Sequence, residues 1–246
     1  MALIPLSQHL ADILASYLPA AHTTSVRRPF VTLTYAQSID ARISKREGER
    51  TIISHEETKT MTHYLRYHHD GILIGSGTAL ADDPGLNCRW RPTEDTDGFL
   101  EQSSPRPIIL DVRGRWRYRG SKMERLHNLG RGKAPIVVTG GAPEICEPGV
   151  TYLSLHIDAH GRVSWSELFE KLRSEHQLES VMVEGGAEVL NALLQRPDLV
   201  DSLVITIGSK FLGAEGVAVA PAQEVNLVDV SWWHGISDSV LCSRLK

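Results

Sequence analysis

Three stretches of this 246-residue chain concentrate glycines, hydroxyls and charges where the chain turns, and one of them is suited to gripping an anion. In Val181-Met182-Val183-Glu184-Gly185-Gly186-Ala187-Glu188-Val189-Leu190 an apolar run of β type meets two glycines and becomes a helical pattern without a spacer. Paired glycines let a backbone come close to a ligand, and the free N–H groups of a first helical turn favour an anion such as a pyrophosphate. A plain strand-to-helix turn uses the same residues, so the other stretches must decide. Gly75-Ser76-Gly77-Thr78 gathers backbone N–H groups and two hydroxyls behind the apolar run Gly71-Ile72-Leu73-Ile74. Asp82-Asp83-Pro84-Gly85-Leu86-Asn87-Cys88-Arg89 breaks the chain again, because the residue before a proline is pushed out of the α region.

These groups need elements to carry them. Phe30-Val31-Thr32-Leu33-Thr34-Tyr35-Ala36 alternates like a strand and runs into Gln37-Ser38-Ile39-Asp40; open α/β sheets place ligand contacts at such strand ends. Ser54 followed by His55, Glu56 and Glu57 reads as a cap with acids in the first turn, leading into a helix over 58–69. The apolar runs 107–111 and 135–139, bounded by turn residues, have the signature of buried parallel strands. Residues 150–155 read as a further strand, and Trp165, Leu168, Phe169 and Leu172 mark an amphipathic helix capped by Ser164. Residues 199–208, 223–231 and 239–245 read as β, with short connections that suit antiparallel pairing. The sequence therefore predicts an α/β fold, with a mostly parallel central sheet, helices on both faces and an antiparallel C-terminal strand region. The Gly-Gly turn comes after several strands and lacks the Gly-x-Gly-x-x-Gly spacing, which excludes a Rossmann motif.

Residues 1–28 form an expected N-terminal helical extension to a body spanning 29–246: Leu3, Leu6, Leu10, Ile13, Leu14 and Leu18 recur at helical spacing until Pro19 and the polar residues 22–25. That helix should pack on the body or on a partner. Residues 91–107 are acidic and aperiodic, the pattern of a surface loop.

Composition narrows the function classes. Cys88, Cys146 and Cys242 are odd in number and isolated, which fits neither a disulfide framework nor a zinc site and points to a reducing, cytoplasmic setting. No apolar run approaches membrane-span length, so no membrane is expected. A net charge of −4 gives the whole molecule no footprint for nucleic acid. Between Arg113 and Lys133, however, eight basic residues (Arg113, Arg115, Arg117, Arg119, Lys122, Arg125, Arg131, Lys133) face one acid, Glu124, a surplus of seven positive charges. This segment reads as a solvated loop or as a phosphate-facing one; Trp116 and Tyr118 are too few for a base-stacking surface. His55-x-Glu57 opens like a zinc deaminase signature, but no Pro-Cys-x-x-Cys follows, and the neighbours His68-His69 diverge on a helix. No metal is expected.

Four blocks together resemble the reductases of riboflavin biosynthesis: Thr34-Tyr35-Ala36-Gln37-Ser38-Ile39-Asp40, Gly71-Ile72-Leu73-Ile74-Gly75-Ser76-Gly77-Thr78, Ala81-Asp82-Asp83-Pro84-Gly85-Leu86-Asn87-Cys88-Arg89 and Val183-Glu184-Gly185-Gly186-Ala187-Glu188-Val189. The resemblance spans roughly 29–245, and Ser54-His55-Glu56-Glu57-Thr58-Lys59-Thr60-Met61-Thr62-His63-Tyr64-Leu65-Arg66 is similar to the single-domain fungal branch, which acts on 2,5-diamino-6-ribosylamino-4(3H)-pyrimidinone 5′-phosphate. It implies a dihydrofolate-reductase-like sheet, NADPH as hydride donor, a phosphorylated pyrimidine substrate and a homodimer. The reaction implied is reduction of the ribosylamino side chain, through its open-chain imine, to the ribitylamino form.

Carried over by motif, Ser76, Gly77, Thr78, Asp82, Gly185, Gly186, Ala187, Glu188 and Val189 are expected to contact NADPH, with Thr139 a further cofactor candidate. Arg89 is the expected substrate-phosphate ligand. Leu86, Asn87, Glu184, Ser38 and Lys59 are the other substrate candidates, and Asp40, Lys59 or water is expected to supply the proton to the imine nitrogen. Three rivals remain: a reductase for the deaminated pyrimidine, a dihydrofolate reductase, and a non-catalytic nucleotide- or RNA-binding protein using the basic segment.

Overall fold

The computed structural model describes residues 3–20, 27–92, 102–159 and 161–246. The polar stretch expected to end the N-terminal helix, at 22–25, and most of the expected 91–107 loop lie outside the described residues. The elements are α1 (Gln8–Ala15), β1 (Phe30–Ser38), β2 (Arg42–Ser44), α2 (Glu56–Tyr67), β3 (Gly71–Gly75), α3 (Ser76–Asp82), β4 (Arg106–Leu110), α4 (Lys122–Asn128), β5 (Ile136–Thr139), β6 (Thr151–Ser154), α5 (Trp165–Ser174), β7 (Ser180–Gly185), α6 (Ala187–Leu193), β8 (Ser202–Gly208), β9 (Val217–Ala218), β10 (Leu227–His234) and β11 (Asp238–Leu245).

Nine strands form one sheet in the order β10-β11-β8-β1-β7-β3-β4-β5-β6. Pairings from β8 to β6 are parallel, and β11 joins β8 and β10 antiparallel. This is the mostly parallel sheet with an antiparallel C-terminal strand region that the sequence predicted. The short β2–β9 pair was not legible, since strands of three and two residues carry no period.

Alternation of side chains through the pleat sends each strand's residues into two cores. Leu73, Val181, Val183, Ile108 and Val138 join Leu168, Phe169 and Leu172 of α5 and Leu190 and Leu193 of α6 on one face. Ile72, Ile74, Met182, Ile109 and Val137 join Met61 and Leu65 of α2 and Leu10 and Leu14 of α1 on the other. Each of these large side chains gains roughly 1.5–3 kcal/mol from complete burial, which explains why the middle strands read as unbroken apolar runs. α5 is capped as expected, with Ser164 Oγ accepting from Glu167 N at 3.3 Å. α2 is not capped by Ser54: its N-cap is His55, and the buried Asp238 carboxylate accepts from His55 N at 2.8 Å and from the Thr58 hydroxyl. α1 is shorter than the apolar spacing suggested and packs on the body: Tyr17 Oη donates to Ser231 Oγ (3.0 Å), and Arg244 Nη2 donates to the Ser16 carbonyl (2.9 Å).

The basic segment departs from a free loop. Trp116 and Tyr118 are buried, Asp111 at the end of β4 accepts from Trp116 N at 2.6 Å, and Glu147 accepts from Tyr118 N and Arg119 N at 2.8 Å each. The arginines alternate with these aromatics and so face outward.

Candidate functional site

The chain leaves β1 for β3 and returns only late, placing β7 between them. That crossover brings the carboxyl ends of β1, β7 and β3 side by side, where a parallel sheet offers a crevice. Ser38 closes β1, Glu184 and Gly185 close β7, and Gly75 closes β3. The two strand-to-helix turns abut. A Cβ on Gly75 would meet Gly186 N at 3.6 Å and Val189 Cγ2 at 3.5 Å, and one on Gly186 would meet Thr78 Oγ1 at 3.0 Å. Gly185 holds φ +124°, and its peptide bond to Gly186 is cis. Gly77 faces open space. The two turns therefore meet backbone to backbone in one cradle, open at Gly77, that would present main-chain N–H groups to a diphosphate.

Around the cradle, Ser76 Oγ accepts from Arg115 Nη2 at 3.3 Å, which ties the basic segment to α3. Asp82 closes α3, and burial raises its carboxyl above the usual range against a lowering influence of Arg50. Val189 is 5% exposed, so contact with a ligand there falls to its backbone, while Ala187 is half-buried and Glu188 exposed. Thr139 ends β5, two strands beyond β3, and its hydroxyl donates to the Gly141 carbonyl at 2.7 Å. It stands apart from the paired turns.

On the other side of the crevice, Arg66 Nε and Nη2 donate to Glu184 Oε1 (3.0 Å) and Oε2 (2.8 Å), and Nη1 donates to the Asn87 carbonyl (3.1 Å). One turn back on α2, His63 Nε2 accepts from Arg89 Nε at 3.0 Å. Burial, with Arg66 and Arg89 nearby, pushes His63 down to about 3, so it is a neutral acceptor. Leu86 is buried with φ +50°, leaving its backbone rather than its side chain to face a ligand. Lys59 shares the α2 face of His63 and Arg66 at helical spacing, and its side chain has no hydrogen-bonding or ion-pair partner among the described residues.

Ser38 and Asp40 are joined to each other rather than open. Ser38 Oγ donates to Asp40 Oδ1 and accepts from Arg42 N (3.0 Å), and Asp40 also accepts from Leu212 N (3.0 Å) and Gly213 N (2.8 Å). The Ser38 hydroxyl, followed by the backbone donors, lowers Asp40 to about 2. A carboxylate in that state has no proton to give near neutral pH. Arg66, His63 and Arg115 were not singled out by sequence, although the spacing of Lys59, His63 and Arg66 was a readable signal.

The model of the RibD C-terminal domain matches residues 29–241. The chain is 78% identical over 245 residues, the whole of both chains, to the 2,5-diamino-6-ribosylamino-4(3H)-pyrimidinone 5′-phosphate reductase of Eremothecium gossypii. It is 56% identical over 247 residues, covering 100% of this chain and 99% of the relative, to the reductase of the same name in Saccharomyces cerevisiae. A solved riboflavin biosynthesis reductase from Saccharomyces cerevisiae superposes with a TM-score of 0.86 at 53% identity, covering 97% of this chain and all of that one. A RibD structure from Acinetobacter baumannii, at 24% identity and a TM-score of 0.71 over 89% of this chain and 58% of that one, shares the fold. The chain therefore belongs to the RibD C-terminal domain family and, within it, to the fungal reductases of riboflavin biosynthesis.

Proposed function

We propose that this chain uses NADPH to reduce 2,5-diamino-6-ribosylamino-4(3H)-pyrimidinone 5′-phosphate to its ribitylamino form. The observation that carries the reading is the meeting of two glycine turns beside a carboxylate, Glu184, that follows directly on the same strand. When bound, NADPH supplies a hydride. Adding that hydride to C1′ of the open-chain imine, and a proton to its nitrogen, converts the C=N bond into the ribitylamino C–N bond. The task of the chain is to hold and align the partners, and alignment of this kind can lower a barrier by ~7–11 kcal/mol.

Gly185, Gly186 and the backbone through Val189, with Ser76, Gly77, Thr78 and Asp82, form the cofactor side. Glu184, Asn87, the Leu86 backbone, Arg89 and Lys59 form the substrate side, with Ser38 shaping its floor through Asp40. Lys59 or water is the favoured proton source, since the Asp40 carboxylate is already engaged by the Ser38 hydroxyl and the Leu212 and Gly213 N–H groups. We further infer that residues 1–28 extend a reductase domain of 29–246, that the enzyme is cytoplasmic, and that it works as a homodimer. Among the described residues no helix is long and apolar enough to cross a membrane.

Two measurements test this. NADPH oxidation is followed with the diamino and the deaminated ribosylamino-pyrimidine phosphates side by side; the diamino compound should be preferred, and equal or reversed preference overturns the substrate assignment. Light scattering should give twice the 27.2 kDa chain mass; a monomer removes the dimer.

A further inference from the structure

The geometry points to Arg66 as a positioning residue that sets the substrate side of the site through Glu184 and the carbonyl of Asn87. The inference rests on Glu184 being a substrate contact. Arg66 lies in the last turn of α2, and all three of its guanidinium nitrogens are used. Two form a parallel fork on the Glu184 carboxylate, at 3.0 and 2.8 Å, and the third holds Asn87 O at 3.1 Å. A fork of this kind fixes the plane of a carboxylate as well as its position, which a point contact does not. The two side chains are only 13% and 17% exposed, so water screens the pair weakly.

The consequence reaches beyond one ion pair. Each Glu184 oxygen spends one lone-pair direction on Arg66 and keeps another for a substrate hydroxyl or amino group. The same guanidinium ties the end of β7 to the 86–89 loop, two segments far apart in sequence. His63, three residues back, engages Arg89 in that loop. One face of α2 thus sets the separation between the acceptor carboxylate and the loop that carries the candidate phosphate ligand. A lysine would keep the charge but not the planar fork.

The test is a double-mutant cycle of Arg66→Lys and Glu184→Gln, read as kcat, KM, NADPH dissociation constant and thermal midpoint. Arg66→Lys should lower kcat/KM on the order of 10²-fold, the effect of misplacing a site group by about 1 Å, with cofactor affinity and midpoint near wild type. In the Glu184→Gln background the lysine should add a clearly smaller loss than it causes alone, the remainder being its lost hold on the Asn87 carbonyl. Independent, multiplying losses overturn the inference while leaving Glu184 as a substrate contact. Undiminished turnover in Glu184→Gln overturns both. Parallel loss of midpoint, NADPH affinity and activity in Arg66→Lys assigns the residue to stability alone and also overturns it. If that variant does not fold, Arg66→Met with Glu184→Gln leaves no lone buried charge; it should bind NADPH like wild type and lose less than the product of the two single losses, and fully multiplying losses count against the inference.

Discussion

Gly186 lies directly against Thr78: a Cβ on the glycine would stand 3.0 Å from the threonine Oγ1, closer than an ordinary contact, at the point where the β7 and β3 turns meet. Gly186→Ala must push the hydroxyl aside by a few tenths of an ångström, disturbing the cradle without touching either core. The NADPH dissociation constant should rise about tenfold, equivalent to about 1.4 kcal/mol, with little change in thermal midpoint. Gly185→Val acts differently, because its Cβ meets nothing nearer than Leu190 at 3.6 Å but φ is +124°. It should add a stability loss on the order of 1–3 kcal/mol. Fluorescence titration of both variants decides; unchanged affinity in folded Gly186→Ala would show that the cradle does not hold the cofactor.

Arg89 is expected to recognise the substrate phosphate while steered by neutral His63. Arg89→Ala should raise KM for the phosphorylated substrate by at least tenfold and leave KM for a dephosphorylated analogue almost unchanged. His63→Leu should produce a weaker version of the same split, since it removes the acceptor that orients the guanidinium and not the charge. An equal effect on both substrates counts against a phosphate contact.

Much of this architecture could be read from sequence because burial on both faces of a parallel sheet forces apolar runs such as Ile72-Leu73-Ile74 and Val181-Met182-Val183, and glycines mark where those strands stop. The strand-to-helix junction at 180–190 was legible for that reason. What escaped depends on long-range geometry. Asp238, 183 residues away, caps α2 in place of Ser54, and no local pattern announces a cap supplied by another strand. Arg66 carried no signal of its own role, because Glu184 comes within its reach only through the placement of β7. In the basic segment the surplus of positive charge was visible, but only the Asp111 and Glu147 contacts show that Trp116 and Tyr118 turn inward.

That inward packing makes the basic segment separable into two parts. Among the described residues the Arg117 side chain bonds only to the carbonyls of Gly114 and Trp116, and the Arg119 side chain is exposed. Replacing both with Gln should leave kcat within about twofold and stability within about 0.5 kcal/mol, as for ordinary surface positions. Trp116→Ala, at a site 6% exposed, should cost roughly 3–5 kcal/mol in denaturant unfolding. A collapse of turnover in the double glutamine variant would give these charges a role in chemistry.

Acid should destabilise the fold through histidines kept neutral inside it. His69 Nδ1 donates to the Leu65 carbonyl at 2.6 Å, its Nε2 accepts from the Thr32 hydroxyl at 2.7 Å, and Ser202 Oγ donates to Thr32 Oγ1 at 3.1 Å, a chain with no place for a second ring proton. Burial above all lowers His69 from its ordinary 6.5 to about 4, and His63 to about 3. Below pH 6.5 the unfolded chain binds protons that the folded chain refuses, so stability is full above that pH and falls as pH drops toward 4 and then 3. Each histidine contributes a slope of about 1.4 kcal/mol per pH unit within its own window. Urea midpoints measured between pH 7 and 4 should therefore fall with acidity, and His69→Gln, which does not titrate, should flatten the curve. A variant whose midpoint follows pH as steeply as wild type would mean that other groups carry the acid sensitivity.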